Sequence, residues 1–474
     1  MRCMALADGL TSSGWTCLFA SREEHLSYLK SINNGRYDII SLNLEIKDEA
    51  ACIQNKIGNV EYMVIDHYER GVEFETQCKG FANSIIVIDD APDRDHNCDI
   101  LIDQTFRRTK IDYQSLVPKD CRLLTGTDYA LLRPEFRKAR DMSSEKLTST
   151  TKMKRLLISF GFTDPDNLTS AVLDILSSTD IDFRIDVVLG LGTPHIEHVR
   201  EKCFSMGKKV KLHVSPQNMA ELMIEADLAI SAAGSSAWER CCIGLPSFMM
   251  IAADNQRDIA SELMRIGAAS LIDLDSPESF VAQLIGAIED PLILPEMSEK
   301  SKALCDGLGV ARVVVELSPT FSKSGEPVRL HRTTKNDGEL MLLWQQLPGV
   351  RQYSHNQDIP SREEHFGWFH KKLNDPECWM FVIYSKDKPA GVIRLDNVNQ
   401  SLNALISILV VPEFQGQGVG KSALQILRKM IPDVLLCADV YEENLASISL
   451  FRSAGYHFDT SRECYINDSI GLWA

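Results

Sequence analysis

Short apolar runs that end on acidic residues, spaced by amphipathic stretches of helical period, recur in the first part of this chain, and that alternation constrains its fold most. Val64-Ile65 runs into Asp66, and Ile85-Ile86-Val87-Ile88 runs into Asp89-Asp90. Continuous apolar runs alternating with helices are the pattern of a parallel sheet covered on both faces. The polar stretch Ser143 to Thr151, S-S-E-K-L-T-S-T-T, has no such periodicity, and a new strand follows it at Arg155 to Phe160. Further strands are expected near Ile185 to Leu189, Lys211 to Val214 and Leu228 to Ser231. Residues 1–145 and 152–317 therefore read as two Rossmann-like domains facing each other across a cleft. The stretch 318–327, S-P-T-F-S-K-S-G-E-P, carries the Pro, Ser and Gly of a linker. From Val328 to Ala474 a helical pattern precedes antiparallel-looking strands at Trp379 to Tyr384, Gly391 to Leu395 and Leu405 to Val411. The expected fold class is α/β, two Rossmann-like domains followed by an α+β module.

Length and composition narrow the partners. At 474 residues, 44% hydrophobic and 24% charged, the chain is long enough for two or three soluble cores. A formal charge of −16 argues against a nucleic-acid partner, since neutralising phosphates needs clustered Lys and Arg. The 13 cysteines are scattered, with Cys241 and Cys242 adjacent and no C-x-x-C, so free thiols are expected and no metal site. No apolar run approaches the ~18 residues that cross a bilayer, and Met1 to Asp8 does not read as a signal peptide. A cytoplasmic protein acting on a small substrate is expected.

The alternating strand A-L-I-S-I-L-V-V at 404–411 leads through Pro412-Glu413-Phe414 into Q-G-Q-G-V-G at 415–420, which opens a helical segment. Glycines there let backbone N–H groups approach a pyrophosphate, and the free amides and dipole of the helix stabilise its charge. No Walker lysine is present, which excludes a nucleoside-triphosphate loop of that type. The segment resembles the acetyl-CoA loop of the GNAT acetyltransferases, Q/R-x-x-G-x-G/A. Gln415, Gly416, Gln417, Gly418 and Gly420 match it in place, with Val419 between the last two. Downstream, Asn444, Ser447 and the A-G-Y ending at Ala454 to Tyr456 look like that family's second CoA-contacting motif.

The resemblance implies that acetyl-CoA is the co-substrate and that a backbone N–H near Leu409 or Val411 stabilises the tetrahedral oxyanion. Asn444 would hold the pantetheine arm, or else serve as the N-cap of the next helix. Many members place a tyrosine where this chain has Phe451, and that tyrosine protonates the departing thiolate. Tyr456 or a water is the expected substitute, and Glu442, Glu443 or a water relay the expected base. Arg351, Ser354, His365 and Trp368 look like the R…S…H-x-x-W pattern of members that acetylate amino groups on nucleotide sugars; packing of the core is the other reading of His365 and Trp368.

In the front part, I-S-A-A-G-S-S-A-W-E at 230–239, then Gly244-Leu245-Pro246 and Asp254-Asn255-Gln256, resemble the donor-binding signature of two-domain sugar-nucleotide enzymes of GT-B architecture. Gly234, Ser235 and Ser236 suit a diphosphate at a helix start, Glu239 suits the ribose hydroxyls, and Gly161 with Thr163 would form the opposite loop, with Gln256 also on the substrate. Uridine diphosphate is the implied nucleotide. Asp66-His67-Tyr68, Asp89-Asp90, Cys98 to Ile102 and Gly126 to Arg133 extend the resemblance over most of residues 1–310 to the UDP-2,4-diacetamido-2,4,6-trideoxy-β-L-altropyranose hydrolases of pseudaminic acid biosynthesis. By that resemblance Tyr68 and Asn255 are functional positions in the sugar cleft, and UDP leaves by water attack without a metal.

That family opens with a strand and G-x-G-H-x-x-R-x-L-A-L-A, whose His activates the water, whereas this sequence starts at M-R-C-M-A-L-A. We expect a parallel sheet lacking a central strand and a reading frame that extends upstream of Met1. Three functions follow: a bifunctional UDP-sugar hydrolase and amino-sugar N-acetyltransferase, an acetyltransferase with a non-catalytic UDP-sugar-binding module, or a GT-B glycosyltransferase. Protein acetylation is the outsider.

Overall fold

The computed structural model describes residues 1–42, 45–147, 154–179, 183–375, 377–398, 403–432 and 434–468. The end of the polar stretch, 148–151, and the expected start of the second domain, 152–153, lie outside them. The chain forms two compact units, Met1–Val313 and Val314–Ala474.

In the first unit, β1 (Leu18–Arg22), β2 (Asp38–Leu42), β3 (Val60–Ile65), β4 (Ala82–Ile88), β5 (Ile100–Asp103) and β6 (Arg122–Thr125) precede β7 (Arg155–Ser159), β8 (Arg184–Leu189), β9 (Val210–Val214), β10 (Leu228–Ala232), β11 (Ser247–Met250) and β12 (Ser270–Leu271). The first six form two parallel ladders, β1-β2 and β3-β4-β5-β6; among the described residues no strand joins β1 to β3. Ile85 and Ile86 of β4 and Leu101 and Ile102 of β5 have no measurable exposure, as strands covered on both faces require. The other six form one parallel sheet in the order β12-β11-β10-β7-β8-β9. The strand order reverses between the parallel neighbours β7 and β10, so a crevice opens beyond their carboxyl ends, where a doubly wound sheet binds ligands. Gly161 and Gly234 follow those two strands.

Packing joins the two expected halves of the first unit. Helix Pro134–Leu147 ends the first sequence block, yet Phe136 and Ala139 are buried among Leu222, Met223, Trp238 and Cys242 of the second. Arg140 Nη1 donates to the carbonyls of Cys242, Lys302 and Cys305. Gly309 returns to the first block, where a Cβ would stand 2.2 Å from the Ala130 carbonyl oxygen. The limit at 145 thus divides the sequence pattern but not the packing, whereas the limit at 317 falls close to the division between the two units after Val313.

The second unit is built on β13 (Thr320–Phe321), β14 (Pro327–Arg332), β15 (Trp379–Ser385), β16 (Lys388–Asp396), β17 (Asn403–Val410), β18 (Leu435–Ala438), β19 (His457–Asp459) and β20 (Cys464–Asn467). Their order is β13-β14-β15-β16-β17-β18-β20-β19, and β17-β18 is its parallel pair. The expected linker at 318–327 is instead a hairpin: Thr320 pairs with Val328, Phe321 with Pro327, and the Ser322 N–H closes the turn on the Glu326 carbonyl. Its Ser and Gly are turn residues, Gly325 taking φ +81°. Met341, Trp344 and Phe369, from helices Gly338–Gln345 and Arg362–Leu373, pack on Met380, Val382 and Val392 of the sheet. Helix Val419–Met430 packs against β13, β14 and β17. Among the described residues no helix is long and apolar enough to cross a membrane.

Candidate active sites

The acidic ends of the first-unit strands converge on a cavity of ≈ 270 Å³ whose lining includes Arg2, Tyr68, Asp90, Gly234, Asn255 and Gln256. Asp66 follows β3 and takes a two-pronged contact from Arg2, with Nη2 to Oδ1 at 2.7 Å and Nε to Oδ2 at 3.1 Å. Arg2 Nη1 also donates to Asp90 Oδ2 at 3.2 Å, just beyond β4. Burial acts to raise the Asp66 pKa, and the Arg2 guanidinium more than reverses it, leaving the carboxyl below its ordinary value. The Tyr68 hydroxyl donates to Asp90 Oδ1 at 2.6 Å and accepts from Asn255 Nδ2 at 3.3 Å, while the Arg94 guanidinium lies 5.5 Å from its ring centroid. Burial and the bond to Asp90 push the Tyr68 pKa up to about 12. Tyr68 and Asn255, distant in sequence, thus meet across the cleft.

A buried ionic group supports this floor. His96 bridges Glu75 Oε1 at 2.7 Å and Asp89 Oδ2 at 3.2 Å, and Asp89 holds Arg94 at 2.7 Å. Burial opposes the imidazolium, but the two carboxylates overcome it and raise the His96 pKa to about 9.

On the other wall, Gly234 and the exposed Ser235 lie between β10 and helix Ser236–Ile243. Gln256 Nε2 stands 3.7 Å from where a Gly234 Cβ would be, and its Oε1 accepts the Ala252 N–H at 3.0 Å. The Ser236 hydroxyl is engaged by Arg240 Nη1 at 3.0 Å. Burial raises the Glu239 pKa, against the lowering pull of Arg133, whose Nη2 lies 4.0 Å away. Gly161, at φ +94°, and Thr163 are exposed in the loop after β7. His67 is not turned to the cleft chemistry; its Nδ1 accepts the Glu69 N–H at 3.1 Å. Arg2 and Asp90 were not expected as site residues; an acidic residue directly beyond each apolar run was the available signal for Asp90, and the match of R-C-M-A-L-A to the R-x-L-A-L-A of the hydrolase motif was the signal for Arg2.

In the second unit the site is made of backbone. β17 pairs with β18 only from Asn403 to Leu405, and beyond Leu405 the two strands part. On its other edge β17 pairs with β16 out to Val410, and the Val411 N–H donates to the Ala390 carbonyl at 3.0 Å. Antiparallel alternation then turns the N–H of Leu409 toward Val392 as well. This corrects the expected oxyanion donors: Leu409 and Val411 face β16, and Ile408 and Val410 face the gap. The Val410 carbonyl on that open edge accepts Gln415 Nε2 at 2.9 Å.

The glycine loop follows. Gly416 has φ +74° and no atom within 4 Å of a built Cβ, and Gly418 has φ +84° at the N-cap of the 12-residue helix Val419–Met430. A Cβ on Gly418 would stand 3.1 Å from Lys323 Cγ and 3.2 Å from Lys323 N, and one on Gly420 3.2 Å from Leu450 and 3.3 Å from Val410. These two glycines are therefore demanded by protein neighbours as well as by any ligand. Val419 has no exposure, so it offers a ligand only its N–H. Gln417 Nε2 donates to the Glu413 carbonyl at 2.6 Å. Lys323, within the supposed linker, donates through Nζ to the Gly416 carbonyl at 3.0 Å and through its N–H to the Gln417 carbonyl at 2.7 Å. A cation beside free helix amides, with space at Gly416, fits the pyrophosphate of CoA.

Other expected residues move. Asn444 is the N-cap, its Oδ1 accepting the Ser447 N–H at 3.1 Å. Tyr456 is a core residue, 3% exposed, with its ring 5.1 Å from Phe451 in a T-shaped contact. Burial raises its pKa, so the hydroxyl holds its proton more tightly and is a poor donor to sulfur. His365 is also buried, with Nε2 hydrogen-bonded to the Gly338 carbonyl at 3.0 Å and its ring stacked on Phe369. Arg351 is spent on its own loop, donating to Gln345 Oε1 and the Asn356 carbonyl. Trp368 remains available at 36% exposure, with the Arg394 guanidinium 5.4 Å from its ring centroid. Glu442 is exposed in the loop after β18. In the same loop the Tyr441 hydroxyl lies 3.0 Å from His355 Nδ1, a pair that sequence spacing does not suggest.

Residues 342–456 match the acetyltransferase (GNAT) family. An uncharacterized protein of Methanocaldococcus jannaschii is 28% identical over 346 residues, 70% of this chain and 67% of its own length. Spore coat polysaccharide biosynthesis protein SpsG of Bacillus subtilis is 29% identical over 212 residues, 44% of this chain and 61% of its own. The UDP-2,4-diacetamido-2,4,6-trideoxy-β-L-altropyranose hydrolase of Campylobacter jejuni is 27% identical over 231 residues, 49% of this chain and 76% of its own. One polypeptide thus joins homology to that hydrolase and to SpsG with a C-terminal domain of the GNAT acetyltransferase family.

Proposed function

We propose that this is a bifunctional nucleotide-sugar enzyme that uses acetyl-CoA to acetylate an amino group on a UDP-amino-sugar and then releases UDP from the diacetamido-trideoxy product. The parting of β17 from β18 beside the Gln415–Gly420 loop carries the reading. The open edge offers the N–H of Ile408 and Val410 to the pantetheine amides and to the thioester carbonyl, where a donor stabilises the oxyanion. Helix amides and Lys323 take the pyrophosphate. In the first unit Gly234, Ser235 and Ser236 would hold the diphosphate and Glu239 the ribose, while Tyr68, Asp90 and Asn255 would face the sugar.

A specific observation favours a second reading of the first unit, binding without hydrolysis. Asp66 is neutralised by Arg2, and Asp90 is shared by Arg2 and Tyr68, so neither carboxylate is free to activate water. In the hydrolase resemblance that base is a histidine of G-x-G-H. UDP release separates the two readings: a UDP-diacetamido-sugar incubated with the chain is assayed for free UDP. Release supports hydrolysis; tight binding without release leaves a binding module.

A further inference from the structure

Phe451 removes the expected proton donor of the acetyl transfer, and Tyr456 is buried away from it. The loop that leaves β18 offers another. Tyr441 lies three residues beyond the end of β18 at Ala438, on the segment that leaves β17 after the Leu405–Cys437 pair. Tyr441 is 46% exposed, and its hydroxyl lies 3.0 Å from Nδ1 of the exposed His355. His355 reaches this point from the loop between helices Gly338–Gln345 and Arg362–Leu373, and that loop is fastened to the same place by Tyr353, whose hydroxyl donates to the Glu443 carbonyl at 3.2 Å. Two loops, one of them leaving β18 where it parts from β17, therefore meet at this pair.

We propose that His355 and Tyr441 form a proton relay from the acceptor amine to the departing thiolate. The inference rests on the acetyl-CoA reading above. As the amine nitrogen bonds to the thioester carbon, its proton passes to His355 Nε2. As the C–S bond breaks, its electron pair stays on sulfur and takes the Tyr441 hydroxyl proton, while His355 Nδ1–H restores the phenol. One proton has moved from nitrogen to sulfur, giving the amide and the free thiol of CoA with no other reactant. The 3.0 Å contact is the step in the middle of that transfer, and it is why both residues belong to one device.

The test uses the full chain, acetyl-CoA and a UDP-4-amino-sugar, with released thiol followed by a chromogenic disulfide and CoA binding by calorimetry. For Tyr441→Phe and for His355→Gln we expect kcat to fall roughly 100-fold, the scale of a general acid or base, with KM for acetyl-CoA and CoA affinity held within about twofold. The double variant should be no slower than Tyr441→Phe alone, because the two act in one path. Both side chains are exposed, so the fold should persist, which thermal melting checks. A Tyr441→Phe variant that keeps more than about a third of kcat, or losses that multiply in the double variant, would overturn the relay while leaving the acetyl-CoA reading intact. Absence of CoA binding by the wild-type chain would instead remove the reading on which the relay rests.

Discussion

The two sites are built from different materials. The first-unit cleft is a set of side chains already satisfied by one another: Arg2 with Asp66 and Asp90, Asp90 with Tyr68, Tyr68 with Asn255. The second-unit site is backbone left unsatisfied, the open edge of β17 and the free amides of helix Val419–Met430. A site of paired side chains must exchange partners when its ligand arrives, and it transmits each lost charge to its neighbours. A backbone site needs no exchange, but it tolerates no added atom where glycine is required. Mutations should therefore act through geometry in one unit and through charge in the other.

The largest effect is expected at Gly418. Valine there meets a left-handed backbone and the Lys323 backbone nitrogen together, so acetyl-CoA affinity should drop on the order of 100-fold, about 2.7 kcal/mol. Calorimetry with CoA and with UDP on the same sample tests the contrast, since UDP affinity should not change. A parallel loss of both would break it.

His96→Gln should come next, acting on the first unit. Because the folded pKa of His96 lies near 9, above the ordinary 6.5, its contribution is fully present below pH 6.5 and is lost as pH rises through about 9. The stability gap to wild type should be about 2 kcal/mol at pH 6 and close above pH 9. Denaturant melts across that window read it, and a gap that grows with pH would contradict the ionic account.

Arg2→Ala tests the opposite sign. Asp66 is held below its ordinary pKa of 3.8, so the pair's contribution is present above that value and fades as pH falls below it. With both groups partly exposed, we expect about 1–2 kcal/mol at pH 7, shrinking as the pH is lowered past 3.8. Asn255→Ala is the mildest: loss of one hydrogen bond across the cleft should weaken UDP-sugar binding about tenfold and leave CoA binding alone.

The same contrast explains what could be read from the chain. The glycine loop is contiguous, and the conformation it imposes is local, so Gln415 to Gly420 were legible before any coordinates. The parallel strands were legible too, because burial on both faces writes a continuous apolar run. What escaped was whatever depends on pairing over long separations. Asp90 acquires a role only when Arg2, Tyr68 and Asn255 arrive beside it, and Tyr441 only when a loop some way upstream delivers His355. The linker was misread for a related reason: Ser-Lys-Ser-Gly has the composition of a flexible joint and of a tight turn alike, and only the partner strand at Pro327 to Arg332 decides between them. Expected oxyanion donors failed by one residue, because strand parity depends on which edge β16 occupies.

Mass measurement of the nucleotide sugar after incubation of the chain with acetyl-CoA and a UDP-4-amino-sugar tests the central claim most directly. The UDP-sugar is expected to gain one acetyl group, with CoA thiol appearing in equal amount. An unmodified UDP-sugar, with acetyl-CoA turnover that responds only to peptide amines, would contradict it.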